Sequence, residues 1–245
     1  MIGTRAFNVV YQPIVEIQRQ DNERSTVGYE ALSRFAGGSP PAWFAAASKA
    51  GLRVGLELAA IRSAIAGFQS APKSAYLALN SSVETLCSPF LPDALDGIAP
   101  TRVVLELPED TVSESYVQTK DHIDRLVGRG YRLAMDDLAR GRIDLWYLVR
   151  LRPSIIKIDL AMIRDIDVDQ SKQSLVSGLK LLGEVLGAQV VAEGIERKTE
   201  LEQLRKLGVQ FGQGYLLGRP GPLETVVPGR YDNHRQRDLP RSLSG

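Results

Sequence analysis

A chain of 245 residues that is 44% hydrophobic and 24% charged can bury one large core, and α/β barrels commonly reach this length as a single domain. A net charge of +1 supplies no basic surface for polymeric nucleic acid, although a few local charges would serve a small anionic ligand. The single cysteine, Cys87, excludes an intramolecular disulfide and fits a cytoplasmic chain; the two distant histidines, His122 and His234, in a polar helical stretch and a tail, argue against a His-rich zinc site and a Ser-His-Asp triad; no apolar stretch is long enough to span a bilayer.

Phe7 to Ile17 reads as a strand. The polar segment Gln18 to Ser25 is too short for a helical crossover, so the next strand, through Tyr29, is expected to form an antiparallel hairpin with the first. Pro40-Pro41 opens a helix, and Leu58, Ile61, Ile65 and Phe68 recur at helical spacing until Pro72. Strands are predicted over 75–79 and 101–107, then a helix over 115–127 with Ile123, Leu126 and Val127 on its packed side. A strand over 131–135, a helix over 142–150 and a strand over 154–158 follow. A long helix over 170–186 closes near Gly187, and a strand over 190–192, a helix over 198–206 and a short strand over 209–211 complete the alternation. This order predicts a modified TIM (β/α)8 barrel with an antiparallel first strand, spanning 1–228. Residues 229–245, rich in Arg, Pro, Ser and Gly, are expected to form a disordered C-terminal tail.

One polar side chain stands at or near the end of almost every predicted strand. Glu30, Asn80, the Asp136-Asp137 pair and Glu193 close theirs, Glu106 and Lys157 lie within theirs, and Gln213 follows the last. In a parallel barrel these ends converge on one face. A lone acid at a strand end is commonly a helix cap, but independent caps would not all be acid, amide or lysine on successive strands. Lys157, between two isoleucines, points by strand parity to a shared face, where an unpaired charge is costly. Oxygen donors without histidine favour Mg²⁺ or Mn²⁺ over zinc. Two such ions about 3.5–4 Å apart would neutralise a phosphodiester and lower the pKa of an attacking water. Asp159 reads as structural, and Tyr11, Tyr29 and Tyr215 read as core or rim aromatics.

The blocks around these residues resemble, in order, the motifs of the EAL domain family. Tyr11-Gln12-Pro13-Ile14-Val15 and Gly28-Tyr29-Glu30-Ala31-Leu32-Ser33-Arg34 are similar to its opening. Asn80-Ser81-Ser82, Glu106-Leu107-Pro108-Glu109, Asp136-Asp137 and Ile156-Lys157-Ile158-Asp159 continue the match. Val191-Ala192-Glu193-Gly194-Ile195-Glu196, Gly212-Gln213-Gly214-Tyr215-Leu216 and Arg219-Pro220 complete it. The resemblance implies metal-dependent hydrolysis of the bacterial second messenger cyclic di-GMP to linear pGpG, with two ions, Mg²⁺ or Mn²⁺, and inhibition by Ca²⁺. It implies that Glu30, Asn80, Glu106 and Asp136 bind one metal, and that Asp136, Asp137 and Glu193 bind the second directly or through water. It further implies a catalytic set of Glu30, Lys157, Glu193 and Gln213, with Lys157 and Gln213 on the attacking water. Gln12, Leu32, Arg34 and Pro220 would contact substrate, and Glu109 and Glu196 would support the ligands from behind.

Two departures from the family pattern stand out. Leu138-Ala139-Arg140-Gly141 replaces Phe-Gly-small-Gly after the paired aspartates, and Pro108 replaces a threonine. Any positive φ at Ala139 would cost roughly 1–2 kcal/mol, and Leu138 fills less volume than phenylalanine. These changes bear on rate more than on binding, so the alternative reading is a catalytically weak or inactive EAL domain acting as a cyclic di-GMP receptor. A protein-interaction domain that binds no nucleotide is disfavoured by Arg34, Lys157 and Gln213. A homodimer through 138–151 is expected, because one helix face cannot bury Trp146, Tyr147 and Leu148 together.

Overall fold

The computed structural model describes residues 7–18, 25–138 and 145–226, and only the helical backbone for 109–118. The expected tail at 229–245, Ala139 and Arg140, and the side chain of Glu109 therefore lie outside the described residues. Eight strands close into one barrel in chain order: β1 (Phe7–Glu16), β2 (Thr26–Phe35), β3 (Tyr76–Asn80), β4 (Val103–Pro108), β5 (Arg132–Leu138), β6 (Ile155–Ile158), β7 (Gln189–Ala192) and β8 (Phe211–Gly212). The described helices are α1 (Pro40–Lys49), α2 (Arg53–Gly67), α3 (Val83–Leu86), α4 (Leu91–Ala94), α5 (Glu109–Gly128), α6 (Leu145–Leu151), α7 (Leu160–Ile163), α8 (Gln170–Leu186) and α9 (Lys198–Lys206).

The reversed first strand is borne out. β1 runs antiparallel to β2, with Gln12 opposite Glu30, and antiparallel to β8, with Val15 opposite Gly212. The remaining neighbours are parallel. β2 extends past the expected end at Tyr29 to Phe35, because the first half of β1 supplies it with a partner, down to Phe7 opposite Phe35. Glu30 is thus a mid-strand residue rather than a strand end.

Alternation along the strands separates two cores. Ile14, Tyr76, Ala78, Val104, Ala134, Ile155 and Val191 form one buried cluster, the layer inside the barrel. Their strand neighbours Leu77, Leu105, Leu133, Ile156 and Val190 face outward into the larger core, which also holds Leu58, Ile61 and Ile65 of α2 and Phe68 at its C-terminal cap. On α5, Ile123 and Leu126 are buried as the spacing predicts, but Val127 is 51% exposed. Val127 follows Leu126 by one residue and so turns about 100° away from the packed stripe.

Gly28 shows how tightly the inner layer is built. A Cβ at this position would lie 2.4 Å from Cε2 of Tyr76, its partner across the β2–β3 ladder, and the Arg132 guanidinium stacks on the same ring at 4.5 Å. Gly28→Ala should lower stability by roughly 1–3 kcal/mol through overpacking, seen as a lower urea midpoint at unchanged slope. An unshifted midpoint would mean that the Tyr76 ring yields without cost.

Candidate active site

The polar residues picked out by sequence sit one step above the apolar inner layer. Glu30, Asn80, Glu106, Asp136, Lys157 and Glu193 each lie two positions after Gly28, Ala78, Val104, Ala134, Ile155 and Val191. Side chains two apart share a face, so these strands project their polar groups into the same interior at the C-terminal mouth. Gln213 stands two after Phe211. On the reversed β1 the order inverts, and Gln12 stands two before Ile14.

Lys157 is the hub. Its side chain is 1% exposed, and Nζ lies 2.9 Å from Glu106 Oε1, 2.9 Å from Glu193 Oε1, 3.1 Å from Asp136 Oδ1 and 3.4 Å from Glu30 Oε2. The approach to Asp136 Oδ1 is an ion pair without hydrogen-bond alignment. Two amides complete the cluster. Asn80 Nδ2 donates to Glu30 Oε1 at 3.0 Å, and Gln213 Nε2 donates to Glu30 Oε2 at 2.7 Å and to Gln12 Oε1 at 3.0 Å. Gln12 Nε2 in turn donates to the Gly218 carbonyl at 3.1 Å, which ties the segment leading to Pro220 to the same network.

Asp136 and Asp137 are adjacent, and a regular strand would send them to opposite faces. Asp137 instead has φ +56°, at an irregularity in the β5–β6 pairing between Met135 and Leu138. Aspartate tolerates this left-handed geometry better than most residues. The result is that oxygens of Asp136, Asp137 and Glu193 all lie within 4.8 Å of one another, close enough to share one cation. Leu138 is fully buried and pairs with Ile158, and Asp159 N–H donates to its carbonyl at 3.2 Å. Pro108 is the N-cap of α5 with φ −61°, a value proline already holds. Asp159 caps α7 by accepting from Ala161 N–H at 2.8 Å, the structural role expected of it.

The electrostatics follow from burial. Burial opposes the charge of Lys157, but the four surrounding acids outweigh it and raise its pKa well above the ordinary value. Burial also raises Glu30, yet the Lys157 charge and the Asn80 and Gln213 hydrogen bonds bring it below the usual carboxylate value. Glu106 is held well above that value by burial, with Lys157 offsetting and Glu30 and Asp136 adding. Glu193 is pushed up to about 8 by burial, with Lys157 offsetting and Asp136 and Glu30 adding. Glu106 Oε2 and Gln213 Oε1 are buried oxygens without a hydrogen-bond partner in the protein. Hard oxygen donors, crowded acids and unpaired buried oxygens together fit divalent cations of the Mg²⁺ or Mn²⁺ type.

Beside Glu30 and Asn80 a cavity of about 450 Å³ opens between β2, α1 and α2, lined by Leu32 and Arg34 among others. Arg34 is exposed, with Nη1 donating to the Ser33 carbonyl at 3.0 Å, and Pro220 is half-buried. Tyr11 and Tyr29 are core residues, whereas Tyr215 is a rim residue, 51% exposed with the Arg219 guanidinium 4.4 Å from its ring centre.

Residues 1–220 match the family model described as the EAL domain. The chain belongs to the EAL domain family. Its EAL barrel is 34% identical over 131 residues to the bifunctional diguanylate cyclase/cyclic di-GMP phosphodiesterase MucR of Pseudomonas aeruginosa, covering 54% of this chain and 19% of MucR. It is 30% identical over 230 residues to the probable cyclic di-GMP phosphodiesterase PdeG of Escherichia coli, covering 86% of this chain and 44% of PdeG. The chain therefore spans less than half the length of these curated relatives. Among solved structures, a calcium and cyclic di-GMP complex of Klebsiella pneumoniae BlrP1 superposes with a TM-score of 0.80 at 33% identity, covering 88% of this chain and 56% of that one.

Sequence reasoning overlooked Glu57 of α2, which is buried beneath the Asn80 loop. Its Oε2 accepts from Ser82 N–H at 2.9 Å and Ser82 Oγ at 2.7 Å, while Oε1 pairs with Arg53 Nε at 2.8 Å. In sequence it is one acid on an amphipathic helix, and only its place among apolar residues of the packed face, between Leu56 and Leu58, marks it. Glu196 was expected to support the site with its carboxylate, but its side chain is exposed, and it is the backbone N–H of this residue that is engaged.

The raised Glu193 pKa sets a direction for stability against pH in protein stripped of metal. The folded state keeps a proton up to about 8, whereas an unfolded glutamate releases it near 4.5. The folded state then binds more protons across that window, so stability falls as pH rises through it. Melting temperature in chelator should drop between pH 5.5 and pH 8.5, and added Mn²⁺ should remove the drop. A melting temperature that climbs with pH in chelator would contradict this assignment.

Proposed function

We propose that this EAL domain hydrolyses cyclic di-GMP to linear pGpG. The observation that supports it most directly is the buried Lys157 ammonium facing four acidic side chains, with Glu106 Oε2 and Gln213 Oε1 left unpaired beside them. In this reading Glu30, Asn80, Glu106 and Asp136 hold one Mg²⁺ or Mn²⁺, and Asp136, Asp137 and Glu193 hold a second. The ions, when bound, supply charge to neutralise the phosphodiester and acidify water. Gln213 Oε1 accepts from the water that attacks phosphorus. Lys157 stabilises the attacking water as it loses its proton and the charge that develops on the phosphoryl oxygens as the phosphorus–O3′ bond breaks, and Arg34 grips a phosphate oxygen from the rim. Gln12, Leu32 and Pro220 position the rest of the ligand, and the cavity beside Glu30 has room for part of it. The EAL-domain relatives named as cyclic di-GMP phosphodiesterases support the choice of substrate, and the BlrP1 complexes, with calcium or manganese, support a divalent metal. The single cysteine supports a cytoplasmic location. Among the described residues no helix is long and apolar enough to cross a membrane.

Lys157→Ala tests the assignment, assayed in Mn²⁺ so that the acids keep a counter-charge. An interaction made mainly in the transition state raises kcat rather than affinity. The variant should lose at least about 100-fold in kcat while its cyclic di-GMP dissociation constant stays within a few-fold. Glu30→Ala should abolish pGpG formation in a folded protein, and wild-type turnover should appear in Mg²⁺ or Mn²⁺ but not in Ca²⁺. Tight nucleotide binding by wild type with no pGpG in either ion would identify a receptor instead.

We also propose a homodimer through the α6 region. α6 buries Leu148 and Leu151 but leaves Leu145, Trp146 and Val149 about half exposed, with the Arg150 guanidinium 4.1 Å over the Trp146 ring. Light scattering should give a dimer mass that Trp146→Glu converts to monomer. A monomer at high concentration, with and without ligand, is the contrary result.

A further inference from the structure

Glu200 on α9 is 2% exposed, and both its carboxylate oxygens are fully engaged. Oε2 accepts from Glu196 N–H at 3.1 Å and Arg197 N–H at 3.0 Å; Oε1 accepts from Arg197 Nε at 3.0 Å and from Asp165 N–H at 3.2 Å. A helix cap at this position needs only the bond to its own N-terminus. The bond to Asp165, 35 residues earlier in the chain, goes beyond capping. Asp165 is held at φ +61° in the segment after α7, and Arg197 Nη2 adds contacts to Asp165 Oδ1 at 2.8 Å and Asp167 Oδ1 at 2.9 Å.

The two segments that Glu200 ties together are the ones that flank the second group of acids. The first, 159–165, continues from the strand that carries Lys157. The second, 193–197, begins with Glu193. They touch again at their inner end, where Gly194, at φ +66°, leaves no room for a Cβ within 2.4 Å of Leu160 Cβ. The second segment is also pinned to the last strand's exit, since Ile195 N–H donates to the Gln213 carbonyl at 3.0 Å. The β6–β7 ladder and the Glu193 N–H, which donates to the Ile158 carbonyl at 3.0 Å, hold these segments together at the strands, and beyond the strands they are joined by Leu160 against Gly194 and by Glu200.

We infer that Glu200 is a positioning residue for the metal-binding end of the site. It holds the Glu193 segment against the Lys157 segment from behind, touching neither substrate nor metal. The inference rests on the proposed hydrolase reading. Groups hydrogen-bonded to metal ligands change metal affinity by roughly 10–100-fold, and Glu200, which acts through the backbone next to Glu193, belongs at the low end of that range.

Glu200→Asp separates this role from helix capping, because it keeps a carboxylate for Glu196 and Arg197 but is one methylene too short to span to Asp165 as well. Glu200→Gln is the second variant, which keeps the length and loses one acceptor. Mn²⁺ titration calorimetry, kcat, KM and the melting temperature would be measured for each. Both variants should bind Mn²⁺ about tenfold more weakly and lose kcat to a similar extent at fixed Mn²⁺, with kcat recovering as Mn²⁺ is raised. KM for cyclic di-GMP should stay within twofold, and the Glu200→Asp melting temperature should stay close to wild type. Wild-type Mn²⁺ affinity in folded Glu200→Asp and Glu200→Gln would overturn the inference and leave Glu200 a helix cap. A wild-type chain that binds no Mn²⁺ would overturn the hydrolase reading and this inference with it.

Discussion

A lysine ammonium placed among four carboxylates inside a barrel sets requirements for everything around it. Unit charges about 3 Å apart interact by roughly 5 kcal/mol even at an effective dielectric near 20. The acids therefore repel one another strongly unless Lys157 stands between them, and Lys157 could not remain charged in the barrel without the acids. Such a cluster forms only if several strands deliver their polar residues at the same height. That demands a closed barrel with one register, and an apolar layer of Ile14, Ala78, Val104, Ala134, Ile155 and Val191 directly beneath to keep water from below. Even then one ammonium does not balance four acids, and Glu106 and Glu193 are held above the usual carboxylate value by burial, with the neighbouring acids adding to it.

Geometry that a regular strand cannot supply is provided by local exceptions. The left-handed Asp137 lets two consecutive aspartates reach one place, and Gly194 lets the Glu193 segment lie against Leu160. Behind these segments stand acids carried by outer helices, Glu57 under the Asn80 loop and Glu200 under the Glu193 loop. Each uses carboxylate oxygens to satisfy backbone N–H groups that would otherwise be left without partners near the core. The barrel thus separates two duties: strands aim the clustered polar side chains, and helices fix the loops through which those strands continue.

Much of the barrel was legible because the evidence for it is local. A polar residue two positions past an apolar inward one is a pattern that a strand imposes on its own sequence, as at Val104 and Glu106 or Ile155 and Lys157. The hairpin was legible from the shortness of 18–25. The length of β2 was not, since Leu32 to Phe35 is strand only because it lies alongside β1. Glu57 and Glu200 were missed for a related reason. An acid on a helix is usually solvated, and nothing within either helix states that loops from elsewhere in the chain will cover it. Val127 was placed on the packed face by its apolar character, although its angular position turns it to solvent. The short helices α3, α4 and α7 carry too few residues for any periodicity to show.

The reversal of β1 has a consequence for attachment. The other seven strands enter at the bottom of the barrel and leave at the mouth, while β1 enters at the mouth, with Phe7 alongside Phe35 beyond Arg34. The chain after β8 also leaves at the mouth, and it returns to pair Gly221 with Tyr11. The entry into β1 at Phe7 therefore opens onto the face where the acids converge. A protein fused ahead of Phe7 would be leashed over the opening, so that the length and stiffness of the leash would govern how freely a ligand reaches Glu30.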